Sequence, residues 1–192
     1  MSWIKRINYE QAEGKLKSVY DRYKNPGKPI DNVLTVHSLR PHTLDGHMQL
    51  YKNVLHHAAN TLPLWYLELI GVYVSHLNSC NYCVEHHMRG LIRGLKDETL
   101  AIKYRKALES DRLETTFSRK DLAGLRYAGK LTMAPERVMP SDLQDCRDSG
   151  FDEGEILEIN QVTGYFNYAN RTVLGLGVNL DGDVLEYEQL TQ

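Results

Sequence analysis

Apolar residues recur along this chain mostly three and four positions apart, the period of a helix packed on one side. Ala12, Leu16, Val19, Tyr20 and Tyr23 follow that spacing and Asn8 offers a cap, so a first helix is predicted over about 9–24. Asn25-Pro26-Gly27-Lys28-Pro29 ends it in a loop. A short helix is predicted over about 32–39. Pro41 suits the first turn of the next, which runs to about His57 with Leu44, Met48, Tyr51, Val54 and Leu55 on one face. After Pro63, LPLWYLELIGVYVSHL is apolar nearly all round and reads as a buried central helix. Asn78-Ser79 interrupts it and caps a new helix from Cys80 to about Gly94. Asp97 caps a segment to Leu108, and Ser118 with Asp121 resembles a capping box for a helix to about Met133. Pro135 and Pro140 bracket a loop. Ser141 caps a short helix to Asp148, Gly150 ends it, and Asp152 caps the last long helix, about 153–174. The final LDGDVLEYEQLTQ reads as irregular with a short extended piece. No alternation of apolar and polar residues makes a convincing sheet. The predicted fold class is all-α, and 192 residues suit one domain, 1–192.

Composition narrows the function classes. The formal net charge is −2 and the pI is near 6.4, so no basic excess marks a nucleic-acid or anionic-membrane binder. The opening MSWIKRINYEQAEGK lacks the apolar run of a signal peptide, and no stretch reaches the length of a membrane span. The expectation is a cytoplasmic protein with neither nucleic acid nor membrane as a partner. In a reducing compartment its three cysteines make no structural framework, and a CxxC pair points to redox chemistry or metal binding.

The chemistry concentrates in ELIGVYVSHLNSCNYCVEHH, which places Glu68, Cys80, Cys83 and His87 at spacings of 12, 3 and 4. If Cys80 lies in the first turn of a helix, Cys83 falls one turn on along the same face, within reach of a disulfide. The helix N-terminus favours thiolate over thiol. His87 is one further turn along and can take a proton from Cys83. His86 points about 100° away and reads as a flanking or interface residue. Glu68 sits in the most apolar helix, where a carboxylate is costly unless paired or protonated, and a desolvated Glu can relay protons. The alternative is a Glu on a wet face or paired with a distant Arg. Tyr73 and His76 flank the same route and read more as packing than chemistry.

Other readings stay open. His76, Cys80, Cys83 and His87 form a Cys2His2 set suited to tetrahedral zinc if they converge across the break at Asn78. The CxxC also suits a redox sensor or binding oligomer that oxidises once without turnover. Cys146, between charged residues in DLQDCRDSG, reads as a surface or semi-buried thiol without a role. Tyr165, Phe166 and Tyr168 read as core or subunit contacts, with Asn167, Asn170 and Arg171 serving buried hydroxyls or lining a cavity. A faint internal repeat aligns Glu68 with Glu155, Cys80 with Asn167 and Cys83 with Asn170.

The motif resembles the signature of the alkyl hydroperoxidase D family, within the carboxymuconolactone decarboxylase superfamily. SLRPHTLDGHMQLYKNVL and GFDEGEILEINQVTGYFNYANRTVLGLGV are similar to its peroxidase-related subgroup. The resemblance covers about residues 5–180. It implies an all-α homo-oligomer, a trimer or hexamer, with a thiol-dependent peroxidase site that needs no metal, haem or flavin. Carried over, Cys83 is the peroxidatic cysteine, Cys80 the resolving one, and His87 with Glu68 the proton relay. The substrate implied is a hydroperoxide and the reductant an external dithiol, lipoyl or thioredoxin-like. The superfamily's decarboxylase chemistry on a lactone acid is the alternative, and it leaves two thiols without a use. The family's best-studied members carry a His where this chain has Tyr82.

Overall fold

The computed structural model of the protein describes residues 2–184. These form α1 (Gly14–Tyr23), α2 (Asn32–Thr35), α3 (Pro41–His56), α4 (Leu64–Leu77), α5 (Asn81–Leu95), α6 (Glu98–Glu109), α7 (Arg119–Met133), α8 (Pro140–Asp148) and α9 (Glu153–Gly175), with no strand among the described residues. The all-α expectation holds. No helix among them is long and apolar enough to cross a membrane.

The most apolar segment is the centre. Every residue of α4 from Tyr66 to Ser75 is buried, and the helix packs against α5, α7 and α9. A close approach to α9 depends on Gly71, where a Cβ would overlap the Phe166 ring. A second apolar cluster joins α1 to α3 through Leu16, Val19 and Tyr20 against Leu34, Leu44 and Met48. A third gathers Cys80, Tyr82 and Cys83 with Val36, Val173 and Val178.

Three predicted caps form as local hydrogen bonds. Leu100 N–H donates to the Asp97 carboxylate at 2.9 Å, Asp121 N–H to Ser118 Oγ at 3.1 Å, and Glu155 N–H to Asp152 at 2.8 Å. Other boundaries differ. Glu13 is extended and Gly14 takes φ +52°, so the predicted first helix splits into a 3-10 turn at Tyr9–Gln11 and α1. Only Asn32–Thr35 of the second predicted helix is helical. Pro140 opens α8 and the Asp142 carboxylate accepts the Met139 N–H at 2.6 Å, which leaves Ser141 inside the helix. Cys146 is fully buried, and burial pushes its thiol up to about 11, so it is an inert core thiol. The proposed repeat fails at the chain break. Residues 68–91 are two helices with Ser79 at φ +58° between them, whereas α9 runs unbroken through Asn167 and Asn170.

The segment after α9 returns to α2. The Asn32 side-chain amide donates to the carbonyls of Asn179 and Asp181 at 3.0 and 2.9 Å, and its backbone N–H donates to Asp183 at 2.9 Å. Residues 180–184 carry no strand, and the rest of the predicted extended piece lies outside the described residues.

Candidate active site

The turn between α4 and α5 sets the thiols. Cys80 is the residue just before the first turn of α5, and Cys83 lies in that turn. Their sulfurs are 2.7 Å apart and both cysteines are free. Both are buried, Cys80 wholly and Cys83 with 5% exposed. The Cys80 thiol is held below its ordinary value, chiefly by the hydrogen shared with Cys83, against the effect of burial. The Cys83 thiol is pushed well up by that same contact and by burial. The shared hydrogen thus eases ionisation at Cys80 and opposes it at Cys83.

Glu68 and His87 meet beside this pair. Glu68 is 1% exposed on α4, and His87 Nδ1–H donates to its Oε2 at 2.7 Å. The wet-face reading of Glu68 is excluded, and its partner is an imidazole rather than an arginine. With Nδ1 committed to the carboxylate, Nε2 is left as the basic nitrogen of the ring. The imidazole is wedged between the Phe166 edge, 4.4 Å between centroids, and the Tyr51 ring at 6.3 Å. Gly90, one turn after His87, makes room for the carboxylate, since a Cβ there would overlap it. Among the described residues no hydrogen bond joins His87 to either sulfur. A cleft of about 410 Å³ opens onto Glu68 and His87, with His47, Tyr51, Arg89 and Tyr165 also in its wall.

His76 is not drawn to the thiols. Among the described residues the one cluster of three metal-type donors is Asp31, His86 and Asp183, so the Cys2His2 set is not assembled. That cluster reads as a hydrogen-bonded clamp. The Arg89 guanidinium donates to His86 Nδ1, so the ring proton sits on Nε2, which donates to Asp183 at 3.0 Å. A cation would need that nitrogen's lone pair. Burial raises the Asp31 carboxyl, and Asp183 adds to the effect. Tyr73 packs against α7 at Gly129, away from the thiols.

Tyr82 belongs to the same clamp. Its hydroxyl accepts the Val33 N–H at 3.0 Å and donates to Asp183 at 2.6 Å. Replacing Tyr82 by Phe leaves both partners short of a hydrogen bond. Tyr82→Phe is expected to lose roughly 1–3 kcal/mol of stability in chemical denaturation. Alkylation of Cys83 by iodoacetamide should stay within about twofold, the change expected of a residue that makes no proton transfer. A tenfold change in alkylation at unchanged stability would place Tyr82 in the relay instead.

Sequence reasoning missed His47, Gly90 and Tyr165 as parts of the site. His47 alone left a signal, a polar residue inside the apolar stripe of α3 between Leu44 and Met48.

The fold and these groups define a class: an all-α dithiol protein whose paired cysteines open a helix beside a buried Glu–His pair. Residues 41–102 match the carboxymuconolactone decarboxylase family. An uncharacterized peroxidase-related protein from Ralstonia eutropha JMP134, described as an alkylhydroperoxidase AhpD core, has the same fold. Its TM-score is 0.80 at 20% identity, over 96% of this chain and 98% of that one. A peroxidase-related protein from Silicibacter sp. TM1040 superposes with TM-score 0.72 at 22% identity, over 87% and 84% of the two chains. A variant of the debrominase Bmp8, solved in complex with 2,3,4-tribromopyrrole, does so with TM-score 0.69 at 15% identity, over 100% and 97%. No curated protein matches the chain. The family match is confined to residues 41–102, and the likeness to the solved structures is one of fold.

Proposed function

We propose that the protein is a thiol-dependent peroxidase that reduces alkyl hydroperoxides or hydrogen peroxide through a Cys80–Cys83 disulfide cycle. The observation that supports it most is the pairing of two free sulfurs 2.7 Å apart with a Glu68–His87 hydrogen bond of 2.7 Å one turn along. Cys83 is the attacking thiol in this reading, being the less enclosed of the two, and Cys80 the resolving one.

His87 Nε2 takes one proton from the pair. The remaining proton moves between the two sulfurs, so charge resting on Cys80 reaches Cys83 in one transfer. Cys83 sulfur attacks an oxygen of ROOH, the O–O pair leaves on RO⁻, and His87 returns its proton to give ROH. The sulfenic acid on Cys83 condenses with Cys80, whose hydrogen departs with the hydroxyl as water. An external dithiol, lipoyl or thioredoxin-like, then reduces the disulfide through a mixed disulfide. The working form is a homo-oligomer.

The test is stopped-flow reaction of the anaerobically reduced protein with hydrogen peroxide and tert-butyl hydroperoxide, followed by turnover with dihydrolipoamide or thioredoxin. Oxidation roughly 100-fold faster than a free thiol is expected, the scale of positioned acid–base help. Protein that leaves peroxides untouched, or that instead releases bromide from a bromopyrrole, would overturn the reading.

A further inference from the structure

We propose that His47 is a second substrate-contacting residue of the cleft, an uncharged imidazole whose Nδ1–H hydrogen-bonds the oxygen that leaves when a hydroperoxide is cleaved. This rests on the peroxidase reading and adds a group from outside the CxxC motif.

His47 stands on α3, is 4% exposed, and shares the cleft wall with Glu68 and His87. Its Nδ1 is buried and has no hydrogen-bond partner among the described residues. Leaving such a nitrogen unpaired costs on the order of 1–3 kcal/mol. A fold that carries this cost in the wall of a cleft, within range of His87's charge, presents a group ready for a ligand. The ring lies 5.7 Å from Tyr165, 5.8 Å from Tyr168 and 5.1 Å from His37, centroid to centroid. Tyr165, which packs against Tyr51 and feels the charge of Cys83, links it to the site.

The protonation state follows from these neighbours. Burial, with His37 and His87 adding to it, holds His47 at about 4, so it is neutral at neutral pH. A neutral imidazole has one donor and one acceptor nitrogen. The Tyr165 hydroxyl lies 3.4 Å from Nε2, and a phenol donating there leaves the ring proton on Nδ1. The result is a donor without charge, which does not compete with His87 for the thiol proton. His37 also has an unpartnered buried nitrogen, Nε2. Two imidazoles sharing a water would be a purely structural arrangement, and the test separates it.

The chemistry balances without a proton from His47. The thiol proton moves to His87 and then to RO⁻, while the Nδ1–H holds the charge developing on that oxygen as the O–O bond breaks. Removing one preorganised donor of this kind costs about 10²–10³ in rate.

His47→Phe keeps a ring of similar volume without the donor. His47→Asn places an amide N–H near the position of Nδ1. Each is compared with wild type in single-turnover oxidation by hydroperoxides whose leaving alcohols differ in pKa. Iodoacetamide alkylation of Cys83 is the control, because iodide needs no donor to leave. His47→Phe is expected to lose about 10²-fold on alkyl hydroperoxides, with a steeper leaving-group dependence and alkylation unchanged. His47→Asn should recover about tenfold of that loss, one hydrogen bond's worth. Rates for His47→Phe within threefold of wild type at the same slope, or alkylation falling in step with peroxide reduction, would overturn the proposal. If His47→Phe does not fold, His47→Leu carries the same two outcomes. Wild type that oxidises no faster than a free thiol removes the peroxidase reading, and the role of His47 with it.

Discussion

Cys83→Ser is expected to abolish peroxide turnover, with a loss of at least about 10³-fold, because a serine hydroxyl is a poor nucleophile without a base tuned to it. Cys80→Ser is expected to react once. It should leave a sulfenic acid on Cys83 that dimedone traps, because the partner that would close the disulfide is gone. Each change also removes the other cysteine's sulfur partner 2.7 Å away, so the remaining thiol titrates as a buried thiol rather than as half of a pair. The first oxidation in Cys80→Ser is therefore expected to run slower than in wild type at pH 7 and to recover as the pH rises. The decisive readout is the site of the trapped sulfenic acid. The structure divides two advantages between the cysteines, with the lower pKa on Cys80 and the greater exposure on Cys83. Dimedone on Cys80 in Cys83→Ser, with no single-hit oxidation of Cys80→Ser, would show that charge outweighs access and would exchange the two roles. Unchanged turnover in either variant would sink the disulfide cycle.

What the sequence made legible is what local chemistry determines. The all-apolar run around Glu68 could only be a buried helix, and α4 is one. Asp97, Ser118 and Asp152 cap their helices with hydrogen bonds to residues three positions on, a spacing that can be counted along the chain. The Cys80–Cys83 contact and the placing of His87 one turn along follow from helix geometry. The parts that were not legible depend on residues far apart. Tyr82 looked like a departure inside the motif, yet its partner Asp183 lies 101 positions away, so nothing near it in the chain marks a clamp. Cys146 sits among charged neighbours in sequence but α8 turns it into the core. The positive φ at Gly14 breaks a helix that periodicity alone carries through, whereas the break at Ser79 was legible in Asn78-Ser79. His47 reads as a half-polar position on α3 until Tyr165 and Tyr168 of α9 close over it.

Gly90→Ala is expected to damage both stability and chemistry, which reverses the usual sign of that substitution in a helix. In an unconstrained helix interior, alanine is favoured over glycine by about 1 kcal/mol. Gly46 on α3 is such a place, with no atom within 4 Å of an added Cβ, so Gly46→Ala should be neutral or mildly stabilising. At Gly90 the added methyl would overlap the Glu68 carboxylate. Glu68 is almost wholly enclosed by the packing of α4 on α5 and α9, so the carboxylate can yield to the methyl only toward the cleft. Either the two helices separate or the carboxylate swings off His87. Overpacking of this kind costs roughly 1–3 kcal/mol. Loss of the charged hydrogen bond also frees the His87 ring to take another tautomer, so the base at Nε2 is no longer fixed. We expect Gly90→Ala to fall below wild type in chemical denaturation, whereas Gly46→Ala does not. We also expect single-turnover peroxide reduction to drop by about 10²-fold, the scale of a lost acid–base group. Glu68→Gln keeps the shape of the site and changes only its charge, so it should lose activity with a smaller structural cost. If Gly90→Ala matched wild type in both measurements, Glu68 would not need its contact with His87, and the proton relay would have to run through another residue of the cleft.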